Sequence, residues 1–206
     1  MTKRIRLKAE DRVTSIVEEA SRLISLKGYF GFTIAALAQQ CGLSNAGLLH
    51  HIGSKEQVLQ MVLDDRDDRD LAVMAKVGGD IDWETVESGQ ANLSVHTAVK
   101  MLHALVKHNE TQPMIVRLYA ILRNESLAVE HPSHDYFIAR DAWSLRLLEG
   151  MFTKTDHAQA LSRELLALMG GLEEQWLRDP SLSLIDLWDE AVNVLLVGHG
   201  ITVDSH

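Results

Sequence analysis

The 206-residue chain has one cysteine and three prolines, and aromatic residues make up only 5% of it. It also lacks any run of the ~18 consecutive apolar residues that a membrane-crossing helix needs. The lone thiol, Cys41, excludes an internal disulfide and fits a reducing compartment, so a soluble, cytoplasmic protein with no membrane partner is expected. Pro113, Pro132 and Pro180 are the only prolines, and the apolar/polar alternation of strands is missing. The chain therefore reads as all-α, with the prolines near helix ends. There is no G-x-S-x-G, no Gly-rich phosphate loop after a strand and no Cys/His pair set for nucleophilic attack, so neither an enzyme nor a cofactor is expected.

Basic charge is scarce as well: 20 Lys and Arg face 29 Asp and Glu, a net charge of −9 that by itself argues against a nucleic-acid partner. Its distribution reverses that inference. Residues 1–56 carry Lys3, Arg4, Arg6, Lys8, Arg12, Arg22, Lys27 and Lys55 against Glu10, Asp11, Glu18, Glu19 and Glu56, and the acid excess lies in the remainder. The leading segment with Lys3, Arg4 and Arg6 reads either as an arm able to lie along phosphates or in a minor groove, or as a solubilising tail.

Residues 33–56, TIAALAQQCGLSNAGLLHHIGSKE, are the most informative stretch. Thr33 is placed to cap a short helix that turns Ile34, Leu37 and Ala38 inward, and Gly42 supplies a sharp turn plugged by Leu43. Ser44 caps a second helix whose Leu48 and Ile52, four residues apart, anchor it to a core. Asn45, Ala46, Leu49 and His50 then face outward. This is a helix-turn-helix, and a recognition helix enters the major groove with its N-terminal residues against base edges. Gly53, Ser54, Lys55 and Glu56 open a further helix, whose free N–H groups with Lys55 beside them can seat a phosphate.

At this stretch the chain resembles the tetracycline-repressor family of bacterial transcriptional regulators. Cys41, Gly42, Leu43, Ser44, Leu48, His51, Ser54, Lys55 and Glu56 occupy the A-G-V-S, L, H and S-K-E positions of its usual run, over about the first quarter of the chain. The resemblance implies phosphate contacts at Thr33, Ser44, His51 and Lys55, and base-facing positions at Asn45, Ala46 and His50. Two departures are Leu49 for the usual tyrosine and Ile52 for the usual phenylalanine; the early arginine of some members is Ala35 here. The implied organisation is a DNA-binding domain at residues 1–54 and a helical effector-binding and dimerisation domain at 55–206.

Beyond the motif, apolar periodicity predicts helices over about 92–109, 112–128, 132–152, 156–178 and 184–198. Earlier in the chain, a first helix spans about Glu10 to Lys27 and stops at Gly28. The DDRDDRD run at 64–70 is expected to be a solvated helix face, and residues 78–92, with three glycines, a loop. One late helix is lined by Leu161, Leu165, Leu168, Met169, Leu172 and Trp176, the other by Leu187, Trp188, Ala191 and Leu195, and the resemblance makes these two helices the homodimer interface. The alternative is that the same face completes the subunit's own core. The region between is, by the resemblance, the site of a small-molecule effector: Met101, Leu105, Leu118, Tyr119, Leu122, Trp143, Leu147 and Met151 would line it, with His103, Arg117, Asn124 and Glu173 as polar groups.

The ten histidines do not form a metal-binding pattern. His131, His134 and Asp135 cluster around Pro132, yet a histidine pair at this spacing reads as a helix opening after a loop, and no metal site is expected. The expected protein is a homodimeric repressor released from a palindromic double-stranded DNA operator by a small molecule. A DNA-bound factor of the same fold without an effector, and a carrier or enzyme using a helical cavity, are the alternatives.

Overall fold

A computed structural model of the chain describes residues 9–79 and 81–202. Among these are ten α-helices and no strand: α1 (Ala9–Gly31), α2 (Ile34–Gln40), α3 (Asn45–Ile52), α4 (Lys55–Gly78), α5 (Trp83–Glu87), α6 (Val95–Glu110), α7 (Pro113–Glu125), α8 (His134–Met151), α9 (Ala158–Arg178) and α10 (Leu184–Gly198). The expected 78–92 loop therefore contains a helix. Asp82 starts α5 by accepting the Glu84 N–H, and Val86 is buried.

The helices fall into two compact units: residues 1–67 with 117–134, and residues 68–116 with 135–206. Beyond residue 54 the first takes in α4 as far as Asp67 and, from Arg117, most of α7 with the loop after it. Its core contains Ile16, Ala20 and Ile24 of α1, Phe32, Leu37 of α2, Leu48 and Ile52 of α3 and Val58 and Leu63 of α4, with Leu118 and Leu122 of α7 also fully buried. Gly28 bends α1 near its end at φ 67 and ψ 178, a conformation that is essentially open to glycine alone. The sequence signal that stops the helix at Gly28 is thus a kink, after which one more turn leads to Thr33.

In the second unit, α10 packs on α9 and α6. Their core contains Met101, Leu102, Leu105, Leu161, Leu165, Leu172, Trp176, Trp188 and Leu196, joined by Leu147, Met151 and Phe152 from the α8 end. Glycine is needed at Gly150, where a Cβ would strike the backbone carbonyl of Val86.

Candidate DNA-binding surface and helical body

The helix-turn-helix is built by its caps. Thr33 Oγ1 accepts the Ala36 N–H at 3.2 Å, Ser44 Oγ accepts the Gly47 N–H at 3.0 Å and Ser54 Oγ accepts the Gln57 N–H at 3.2 Å. Gly42 turns the chain at φ 64, and the Leu43 N–H closes the turn on the Ala38 carbonyl at 2.8 Å. Thr33 and Ser44 use their hydroxyl oxygens internally and keep the proton to give, which suits donation to a phosphate oxygen, whereas the Ser54 hydroxyl also bonds the Glu56 carboxylate.

On α3, Leu48 and Ile52 are buried while Asn45, Ala46, Leu49 and His50 are exposed. The helix therefore presents an amide, a methyl, an isobutyl group and an imidazole to solvent on one side. His51 is half-buried and lies edge-on to His50, with ring centroids 5.8 Å apart.

Lys55 is not a free surface cation. Its Nζ sits 4.1 Å from the centre of the Tyr29 ring and 5.3 Å from that of Phe32. Burial holds its amine below the ordinary lysine range, against the opposing pull of Glu56 and Glu125. The Tyr29 hydroxyl donates to Glu56 Oε1 at 3.0 Å, and burial together with that bond keeps it protonated well beyond the usual phenol range. On the other side, the Tyr29 N–H donates to Glu125 Oε2 at 2.9 Å across 96 residues of sequence. Sequence reasoning missed both Tyr29 and Glu125, because a contact at that separation leaves no local pattern.

The loop after α7 supplies the last member of this cluster. His131 is buried, lies edge-on to Tyr29 and Phe30 with centroids 5.2 and 5.3 Å away, and holds Nε2 3.5 Å from Glu125 Oε2. Its Nδ1 lies 2.8 Å from Ser133 Oγ, while His134 Nδ1 turns to the Ser126 carbonyl at 2.8 Å. Both histidines of the Pro132 segment thus face groups of the protein. Among the described residues no three His, Cys, Asp or Glu side chains come together as a metal site. Cys41 is half-buried, and burial raises its thiol pKa. Lys3, Arg4 and Arg6 lie outside the described residues.

The charged run at 64–70 is a solvated face only in part: Asp64, Asp68 and Arg69 are exposed. Arg66 stacks its guanidinium 3.7 Å from the centre of the Tyr119 ring, and Asp70 is buried. An arginine can leave water where an aromatic face receives its plane, which an acid/base count along the chain does not register.

The effector candidates divide between the units. Arg117, Leu118, Tyr119 and Leu122 belong to the first, with Arg117 exposed; Met101, His103, Leu105, Trp143, Leu147, Met151 and Glu173 belong to the second. Of the polar candidates in the second unit, His103 pairs with Asp189 at the surface, at 2.9 Å. Glu173 is the buried one, and Asn109, also buried, donates to its Oε1 at 2.7 Å. Asn124 uses its amide on the Ala120 carbonyl at 2.7 Å.

On the two last helices, Leu161, Leu165, Leu172, Trp176 and Trp188 are buried within the single chain and fill its own core. Leu168, Met169, Leu187, Ala191 and Leu195 are half-buried beside it. The exposed apolar residues of α10 are Val194 and Val197, at 69% and 58% exposure. On α9, Ala160, Ala167 and Gly171 are exposed.

Residues 16–62 match the family model for bacterial regulatory proteins of the tetR family. The fold is similar to that of a transcriptional regulator from Rhodococcus sp. Rha1, with a TM-score of 0.71 at 17% identity over 93% of this chain and 99% of that one. It is also similar to NalD, the secondary repressor of the MexAB-OprM multidrug efflux pump in Pseudomonas aeruginosa (TM-score 0.65, 20% identity, 94% and 96% coverage). AibR, solved in complex with isovaleryl coenzyme A and operator DNA, superposes with a TM-score of 0.61 at 21% identity, over 89% of this chain and 97% of that one. No curated protein matches the chain in sequence.

Proposed function

Since residues 16–62 carry the helix-turn-helix domain of the tetR family, on the fold of its regulators, we propose that the protein is a homodimeric repressor whose grip on a palindromic operator is released by a small molecule. The observation that carries this reading is the face of α3, where Asn45, Ala46, Leu49 and His50 stand free while Leu48 and Ile52 lock the helix from behind. Asn can pair with adenine through two hydrogen bonds and Ala can meet a thymine methyl. Thr33, Ser44, His51 and Lys55 would hold the flanking phosphates, and the protein would work in the cytoplasm alongside the DNA.

A two-fold dimer sets two such helices one helical turn apart. The exposed Val194 and Val197 of α10, with the small residues of α9, support a face between copies there. In the body, the methionine- and tryptophan-containing core around the buried Asn109–Glu173 pair supports an effector with apolar bulk and a polar group. Such a ligand acts by binding better to a state whose heads do not match adjacent grooves; one suited equally to both states changes nothing. NalD and AibR are repressor and operator-binding relatives in fold, and they support the class without naming this chain's ligand.

The deciding experiment is selection of bound duplexes from a random pool, with stoichiometry determined on the winning site. A palindrome bound by one or two dimers is the expected outcome. No enrichment by a folded, dimeric protein would overturn sequence-specific repression. Lys55→Ala is expected to weaken binding to every sequence alike, and Asn45→Ala to shift the preferred sequence.

A further inference from the structure

Around Tyr29 the first unit assembles four charged or titratable side chains that DNA binding by α3 alone does not require. Lys55 lies over the ring, Glu56 accepts a hydrogen bond from the hydroxyl, Glu125 accepts one from the backbone N–H and His131 abuts the ring edge with Nε2 toward the same Glu125 oxygen. Gly28 lets Glu125 approach: a Cβ at this kink would run into its carboxylate. A carboxylate from residue 125 is thereby fixed beside the start of α4, where a phosphate is expected to bind. Resting on the proposed DNA-binding reading, we propose that Glu125 and His131 are positioning residues that hold Lys55 on the Tyr29 ring and release it to DNA phosphate when His131 takes up a proton.

The coupling follows from the charges. With His131 neutral, the Glu125 carboxylate adds its attraction for Lys55 to the larger one of Glu56 and favours the position over the ring. A protonated His131 pairs with Glu125 and repels Lys55. Departure of Lys55 to a phosphate removes a positive neighbour from His131, so proton uptake and DNA binding favour each other. The groups facing His131 are Glu125 from α7, Lys55 from α4, the Tyr29 and Phe30 rings from α1, and Ser133 from its own loop; Glu56 reaches it only through Tyr29. His134, turned to the Ser126 carbonyl, is directed elsewhere.

The test uses the full chain and a mixed-sequence duplex, titrated at pH 8 and pH 5 at moderate salt. Glu125→Gln keeps an acceptor for the Tyr29 N–H but removes the charge, and is expected to tighten binding at pH 8 about threefold, the size of a partly exposed charge interaction. In a Lys55→Ala background the same substitution should change nothing. His131→Gln should remove part of the tightening that the wild type shows between pH 8 and pH 5. If Glu125→Gln tightens binding equally with and without Lys55, Glu125 merely repels DNA, and the hold is overturned while DNA binding stands. If no form binds duplex although each is folded, the DNA-binding reading falls and the hold falls with it. A readout independent of variants and of DNA is the NMR signal of reductively dimethylated, still cationic, Lys55. A ring-current upfield shift in the free protein that diminishes on going from pH 8 to pH 5 supports the hold, and an unshifted or pH-independent signal overturns it.

Discussion

Gly28 shows how much one residue decides. At φ 67 and ψ 178 it occupies a region closed to L side chains, and the Glu125 carboxylate fills the place of its missing Cβ. Gly28→Ala is therefore expected to cost about 2–3 kcal/mol in urea unfolding, with some relief when Glu125 is shortened to Ala in the same chain. His131 makes a prediction of opposite chemistry. Burial lowers its pKa from the ordinary 6.5, more than Glu125 raises it. The unfolded chain then binds the extra proton first, so stability falls as pH drops below about 6.5 and stops falling once the folded form is protonated too. His131→Gln should flatten that part of a stability profile measured by denaturant at a series of pH values, whatever its effect at pH 8.

At the scale of elements, the two last helices divide their side chains between a buried and an exposed face. Leu165 on α9 and Trp188 on α10 face the subunit's own core, so Leu165→Ala should cost about 2–5 kcal/mol and leave the surface unchanged. Val194 on α10 is 69% exposed, and Val194→Asp should leave the melting behaviour of the isolated subunit near that of the wild type while shifting sedimentation from dimer to monomer. If that variant stays dimeric, the face between copies lies elsewhere. Asn109 joins α6 to α9 through Glu173 in a buried bond, and its replacement by Ala leaves the carboxyl short of a donor at a cost of about 1–3 kcal/mol.

For the whole molecule, charge is the controlling quantity. The protein is acidic, −9 overall, yet residues 1–56 hold eight of its 20 lysines and arginines against only five of its 29 acids. Non-specific affinity for DNA then depends on few cations, and each phosphate neutralised contributes about 0.9 to the slope of log affinity against log salt. Replacing Lys3, Arg4 and Arg6 together by alanine should flatten that slope by about 0.9 for each of the three that meets a phosphate, as read from titrations between low and moderate salt. An unchanged slope would make the segment a solubilising tail.

The sequence by itself determined the helical class, the caps Thr33 and Ser44, the turn at Gly42 and the outward face of α3, because each depends on residues within a few positions of one another. It located the head and the two long last helices for the same reason: periodicity and capping are local. Tertiary structure decided the rest. Whether Leu165 or Trp188 meets its own chain or a second copy depends on what α6 covers, and two broad apolar faces look alike in sequence. Whether Lys55 is a free cation or one held on a ring depends on Tyr29, Glu125 and His131, which meet it only when segments about a hundred residues apart pack together. Local propensity fixes the elements, but burial and electrostatic environment are sums over neighbours in space, so a side chain's working state emerged only when the chain folded.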